Sequence, residues 1–141
     1  MKYLLDTDSL SYYFRGEGQV AQRLRALTPA DIGIPAPVLY ESRYGMLRLG
    51  TGARQSALLA ALDRAKATLD IVSFDESAAE AAARIRTELE SIGNTIGPID
   101  IQIAGIALAH QAVLVTRNTE EFSRVAGLTI ENWYDGVGPG E

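Results

Sequence analysis

The residues of this sequence with the clearest potential for chemistry are carboxylates and one amide, widely separated along the chain. Asp6 and Asn118 each follow a short apolar run, whereas Glu41 and Asp100 lie in segments with helical character. Oxygen ligands without accompanying Cys or His clusters suit a hard cation such as Mg²⁺ or Mn²⁺, which binds few carboxylates and keeps several waters. Such an ion can activate water and orient a phosphodiester. We therefore expect these side chains to converge around a divalent ion.

Asp6 is the first of these candidates, because it ends the apolar run Lys2–Leu5. A buried strand that stops at a carboxylate places the charge at the carboxyl edge of a sheet, where ligands bind in open α/β folds. The structural alternative is a surface aspartate, with the neighbouring Asp8 capping the next helix. Asp8 is also a possible supporting residue of the site.

Glu41 is the second candidate and lies in a segment that begins with prolines. Val38, Glu41 and Gly45 are spaced to share one helix face, and the glycine permits close approach by another backbone. The alternative is a solvated glutamate that pairs with Arg43 or Arg48, since most glutamates are exposed.

Asp100 is the most informative candidate, because its helical segment, Pro98–Ala109, is apolar on all sides. A helix of this kind is normally buried. A carboxylate in a buried helix needs a cation, a proton or hydrogen-bond donors. Stabilisation by the helix dipole is the alternative, but the apolar surroundings favour a functional role.

The segment after the fourth predicted strand supplies the remaining candidates. Asn118 has Glu121 three residues later, which is the spacing of a capping box. The Asn118 side chain can cap the helix and still direct its amide oxygen at a water on the ion. Thr116, Glu120 and Glu121 are possible supporting residues.

Strands that alternate with helical patterns are expected to bring these residues to one edge of a parallel sheet. The predicted strands are Lys2–Leu5, Asp31–Ile34, Asp70–Phe74, Val113–Thr116 and Leu128–Trp133. The predicted helices are Ser9–Phe14, Gln19–Leu27, Pro35–Leu49, Ala53–Leu69, Ser77–Glu90, Pro98–Gln111 and Thr119–Val125. We expect a single domain over residues 1–133 and a flexible Gly/Pro-rich tail over 134–141.

Composition excludes several classes of site. The 141 residues contain no Cys and a single His, which rules out disulfides, thiolate zinc sites and catalysis by two histidines. No segment resembles a signal peptide or a membrane span, so we expect a cytoplasmic protein. The net charge of −5 does not favour nucleic-acid binding. However, 11 of the 13 basic residues are Arg, the better phosphate ligand.

Four motifs resemble those of the PIN-domain nucleases: Leu4–Asp8, Glu41, Ile99–Ala104 and Val113–Asn118. The segment Thr116–Trp133 more narrowly resembles the VapC toxins of bacterial toxin–antitoxin pairs, nearest to the tRNA(fMet)-specific endonucleases. The resemblance extends over essentially the whole chain. It implies a PIN-like three-layer α/β/α sandwich with a mainly parallel central sheet.

The resemblance also implies an activity, a cofactor and partners. The expected protein is a Mg²⁺-dependent endoribonuclease, with Mn²⁺ able to substitute, that cuts structured RNA, typically tRNA, by attack of a metal-activated water. It is a homodimer, is the toxin of a type II pair and is neutralised by a VapB-type antitoxin. By position, Asp6, Glu41 and Asp100 match the acidic triad that binds the metal. Asn118 falls where many members have a fourth acid.

Two other functions remain open on the sequence. A PIN-like module that binds metal poorly, because Asn118 replaces an acid, would hold RNA or an antitoxin without cutting. A phosphatase of the Asp-x-Asp type, suggested by Asp6-Thr7-Asp8, needs a later lysine after a strand. The chain has only Lys2 and Lys66, and neither follows a predicted strand.

Overall fold

A computed structural model describes residues 1–135, which form a parallel β-sheet with helices on its faces. The strands are β1 (Tyr3–Leu5), β2 (Ile32–Pro35), β3 (Asp70–Val72), β4 (Val113–Val115) and β5 (Ile130–Glu131). Their order across the sheet is β3-β2-β1-β4-β5, and every neighbouring pair is parallel. The predicted α/β sandwich with a mainly parallel sheet is confirmed.

The helices overlap the helical segments that the sequence predicts. They are α1 (Thr7–Arg15), α2 (Val20–Arg25), α3 (Ala36–Leu47), α4 (Ala53–Thr68), α5 (Glu76–Ser91), α6 (Pro98–His110) and α7 (Thr119–Phe122). Because crossovers between parallel strands are right-handed, the chain places α1 to α4 on one face of the sheet and α5 to α7 on the other. Asp75 is the N-cap of α5, and its side chain accepts a hydrogen bond from the Ala78 amide at 3.0 Å.

Helix α6 is buried, as its apolar sequence predicts. Ile103, Ala104 and Ile106 have no exposed surface. Gly105 allows α5 to approach closely, because a Cβ at this position would lie 2.7 Å from the Ala78 carbonyl oxygen. α6 is therefore fixed in the layer beneath the sheet, with Asp100 in its first turn.

The carboxyl-terminal end is described only in part. Of the predicted tail, 134–141, the residues 136–141 lie outside the described part of the chain. Tyr134 packs against Tyr12, with ring centroids 4.5 Å apart. Among residues 1–135, no helix is both long and apolar enough to cross a bilayer.

Candidate active site

The candidate site lies where the sheet topology reverses direction. β1 is central, and the chain continues to β2 on one side and later to β4 on the other. The carboxyl ends of strands that flank such a reversal form a crevice, which is the usual ligand site in open α/β sheets. The Asp6 amide donates to the Val115 carbonyl oxygen at 3.1 Å, which ties the end of β1 to that of β4.

Asp6 is a buried carboxylate that also caps α1. Only 5% of its surface is exposed, and its Oδ1 accepts a hydrogen bond from the Ser9 amide at 2.8 Å. The alternative in which Asp8 caps the helix is therefore wrong. Burial raises the pKa of Asp6 to about 6, despite hydrogen bonds from the Thr116 side chain and from Ser9 that lower it. The ionised form of this carboxylate is therefore destabilised by its burial.

The pKa of Asp100 indicates that other acidic side chains lie near it. Its side chain is half-buried in the first turn of α6. Burial raises its pKa to about 6, and the negative charges of Asp6, Glu41, Glu121 and Asp8 contribute to the rise. Acidic residues from three other segments of the chain are thus close enough to Asp100 to raise its pKa.

Glu41 is oriented by a residue that the sequence did not single out. The Thr7 hydroxyl donates to Glu41 Oε1, so that α1 and α3 are linked beside the site. The predicted alternative of a pair with Arg43 or Arg48 is wrong, because Arg43 pairs with Asp63 at 3.0 Å and Arg48 lies over an aromatic ring. The only signal for Thr7 in the sequence is its position directly after Asp6 in the first motif.

The segment after β4 adds one further acid to the group. The side-chain nitrogen of Asn118, Nδ2, donates to Glu121 Oε2 at 2.7 Å. The Asn118 side chain makes no capping hydrogen bond, so the predicted capping box is wrong. The Asn118 backbone amide donates to Thr116 Oγ1 at 2.9 Å and is therefore not available to the Glu121 carboxylate, as a capping box would require. Glu120 points away, with 91% of its side chain exposed. Of the two adjacent glutamates, Glu121 is therefore the one near Asp100.

Most of the chain matches one known protein family. Residues 3–128 match the PIN domain family. The chain belongs to the PIN domain family. Its first strand, its central acidic residues and the segment after β4 all fall within the matched region.

Relatives place this PIN domain within a narrower group. It is 31% identical to the tRNA(fMet)-specific endonuclease VapC of Shigella flexneri, over 94% of this chain and 98% of that protein. It is 33% identical to ribonuclease VapC2 of Rickettsia felis, with 94% and 98% covered. The solved VapBC2 complex of Rickettsia felis, bound to promoter DNA, is similar with a TM-score of 0.84, 32% identity and 94% and 99% coverage. The chain is therefore grouped with the VapC toxin ribonucleases.

The donor set of this PIN domain fits a hard divalent cation. Asp6, Glu41, Asp100 and Glu121 offer only oxygen ligands, which suit Mg²⁺ or Mn²⁺. Within residues 1–135, no three acidic or histidine side chains are close enough to hold an ion as a preformed cage. An ion that keeps several of its waters fits this open arrangement. Thr7 donates a hydrogen bond to Glu41, and Asn118 donates one to Glu121, so each restrains one carboxylate of this set.

Proposed function

We propose that this PIN domain is a Mg²⁺-dependent endoribonuclease that cuts structured RNA, with tRNA as the expected substrate. The observation that carries the proposal is the position of Asp100, whose pKa is raised to about 6 by burial and by the acids around it. A divalent cation would relieve both costs. The substrate class is supported by the similarity to relatives named as tRNA(fMet)-specific endonucleases.

The proposal assigns a role to each of the four predicted site residues. Asp6 and Asp100 hold Mg²⁺, or Mn²⁺ in its place, and Glu41 completes the ligand set or orients water. When bound, the ion supplies a Lewis acid for the phosphodiester and lowers the pKa of water. Asn118 keeps Glu121 directed toward Asp100. The expected products carry a 3′-hydroxyl and a 5′-phosphate.

We also propose that the chain acts as a homodimer in the cytoplasm and is neutralised by a VapB-type antitoxin. Support comes from similarity to the VapBC complex of Salmonella typhimurium, with a TM-score of 0.84 and 30% identity. A bound antitoxin that covers the acidic crevice would exclude RNA from it. Co-purification of the two proteins from a joint expression strain, followed by light scattering, tests the assembly.

The Asp-x-Asp phosphatase has no support in the position of the lysines. Lys2 precedes β1, at the amino edge of the sheet. Lys66 lies in the last turn of α4, just before β3 begins. Both lysines are therefore at the edge opposite to Asp6 and cannot steady a phosphate beside it.

Replacement of single acids tests the proposed nuclease. Asp100→Asn should reduce cleavage of bulk bacterial tRNA in Mg²⁺ by at least about 100-fold, because it removes a metal ligand. Glu121→Gln should reduce it less. Glu120→Gln removes the same charge from an exposed neighbour and is the matched control. If circular dichroism shows that Asp100→Asn is folded and the variant still cleaves tRNA at the wild-type rate, the proposal is contradicted.

A further inference from the structure

A cavity of about 260 Å³ adjoins the acidic crevice, between α1, α3 and α4. Thr7, Asp8 and Glu41 line the wall that it shares with the site. The cavity is therefore continuous with the position where a phosphodiester is cut under the proposed function, on which the following inference rests.

The lining of the cavity combines apolar and polar groups. Phe14, Met46 and Leu58 provide apolar residues, and Ser11 and Ser42 add polar residues to the lining. An unpaired nucleobase has this character, because its faces are apolar and its edges carry hydrogen-bonding groups. A paired base would not expose its faces to such a surface.

Because Gly45 has no side chain, the cavity contains space beside it that no residue within 1–135 fills. It lies within α3, where glycine destabilises a helix relative to alanine. A Cβ at this position would meet no atom within 4 Å, so neither packing nor a close backbone contact in residues 1–135 requires glycine. The space beside Gly45 is available to an occupant of the cavity.

Two arginines at the cavity supply the charge that an RNA strand needs. Arg15 is an exposed residue of α1, and its guanidinium is 3.4 Å from Glu17. Arg54, in the first turn of α4, is exposed and has no ion pair within residues 1–135. A free guanidinium fork is well suited to a phosphate. It lies on the same cavity as Glu41, so one strand could contact both.

We propose that this cavity binds one unpaired nucleotide adjacent to the cleaved phosphodiester. Its base lies against Phe14, Met46 and Leu58, and Arg54 contacts a neighbouring phosphate. The space beside Gly45 admits the ribose–phosphate backbone. The cavity thereby selects RNA in which a nucleotide next to the cleaved bond is unpaired, such as a loop.

Filling the cavity provides the first test, with bulk bacterial tRNA as the probe and Asp100→Asn as the background in which binding is measured. Gly45→Leu should weaken binding by about tenfold or more while the melting temperature is kept or raised, since α3 gains a better helix former. Ala60→Leu, at an exposed position of α4, is the matched control and should bind normally. Normal tRNA binding by Gly45→Leu overturns the proposal.

The salt dependence of binding provides the second test. Arg54→Ala should weaken tRNA binding and reduce the slope of log affinity against log salt by about 0.7, the value for one lost single-strand phosphate contact. Arg84→Ala removes one positive charge from the exposed face of α5, outside the cavity, and should leave the slope unchanged. Equal slopes for both variants overturn the assignment of Arg54.

These readouts separate the cavity from the proposed nuclease. If wild-type protein does not cut tRNA but both cavity variants lose binding, the nuclease proposal fails and the nucleotide site stands. If wild-type protein cuts tRNA and Gly45→Leu binds and cuts equally well, the nucleotide site alone fails. If the cavity variants bind tRNA normally but are no longer neutralised by a co-expressed antitoxin, the cavity belongs to a protein partner and the proposal is overturned.

Discussion

At the scale of the residue, capping and burial shift the pKa of Asp6 in opposite directions. Its role as N-cap of α1 favours the ionised form, because the carboxylate accepts a hydrogen bond from the Ser9 amide. Its burial favours the neutral form and is the larger effect, so that the pKa rises to about 6. Without a cation, the ionised Asp6 therefore destabilises the folded protein at neutral pH.

The stability of Asp6→Asn tests this account in metal-free protein. Between the unfolded pKa of about 4 and the folded pKa of about 6, the native state binds more protons, so stability falls as pH rises. Asparagine is an equally good cap and carries no charge. The free energy of unfolding of the variant should exceed that of wild type by about 2–3 kcal/mol at pH 7.5 and by little at pH 4.5. Urea unfolding in the presence of EDTA measures this difference. A difference independent of pH contradicts the account.

At the scale of the element, the contact between α5 and α6 decides where Asp100 lies. Gly105 faces α5 with a Cβ position 2.7 Å from the Ala78 carbonyl oxygen and 2.9 Å from the Ala82 side chain. Neither neighbour can yield easily, because one is backbone and the other is a small buried side chain. The glycine thus sets the separation of the two helices.

Gly105→Ala should lower stability although alanine is the better helix former. Overpacking against α5 costs about 1–3 kcal/mol. The 2.7 Å clash with backbone favours the upper part of that range, which exceeds the gain in helix propensity of about 1 kcal/mol. Cleavage should also fall, since α6 carries Asp100. Gly45→Ala is the matched control, because a Cβ there meets no atom within 4 Å and should stabilise the protein. Equal melting temperatures for the two variants contradict this assignment.

The element scale also shows how far the sequence predicts the fold. Apolar runs, apolar periodicity and the positions of proline and glycine located every α-helix and strand among residues 1–135, because burial and chain turns leave their pattern on each element separately. The ends were less accurate: β5 covers Ile130–Glu131 and not the predicted Leu128–Trp133, and α1 starts two residues early at Thr7. Helix α1 starts early because the Asp6 carboxylate caps it by accepting from the Ser9 amide, while a tertiary contact, from the Asp6 amide to the Val115 carbonyl oxygen, fixes Asp6 at the end of β1.

At the scale of the whole molecule, binding of a divalent ion distinguishes a nuclease from a module that binds RNA without cutting. An ion that binds only the folded state stabilises it by about 2.7 kcal/mol at 100 times its dissociation constant. Mg²⁺ or Mn²⁺ should therefore raise the melting temperature of wild-type protein measurably, and EDTA should reverse the rise. Asp100→Asn is the control and should respond weakly. An unchanged wild-type melting temperature favours the module.

The amino-acid sequence by itself determined the kind of chemistry and the parts that carry it. Oxygen ligands without Cys allowed a hard cation, the apolar run before Asp6 placed it at a strand end, and the apolar helix around Asp100 marked a buried carboxylate. These features are local, so residue type and periodicity record them.

Only the tertiary structure decided which side chains act together. It directed Glu121 to Asp100 and Glu120 to solvent, and it joined Thr7 to Glu41 across 34 residues of sequence. Such choices depend on how packed helices are rotated and spaced around the sheet. That geometry results from contacts between distant segments, which no local pattern in the chain encodes.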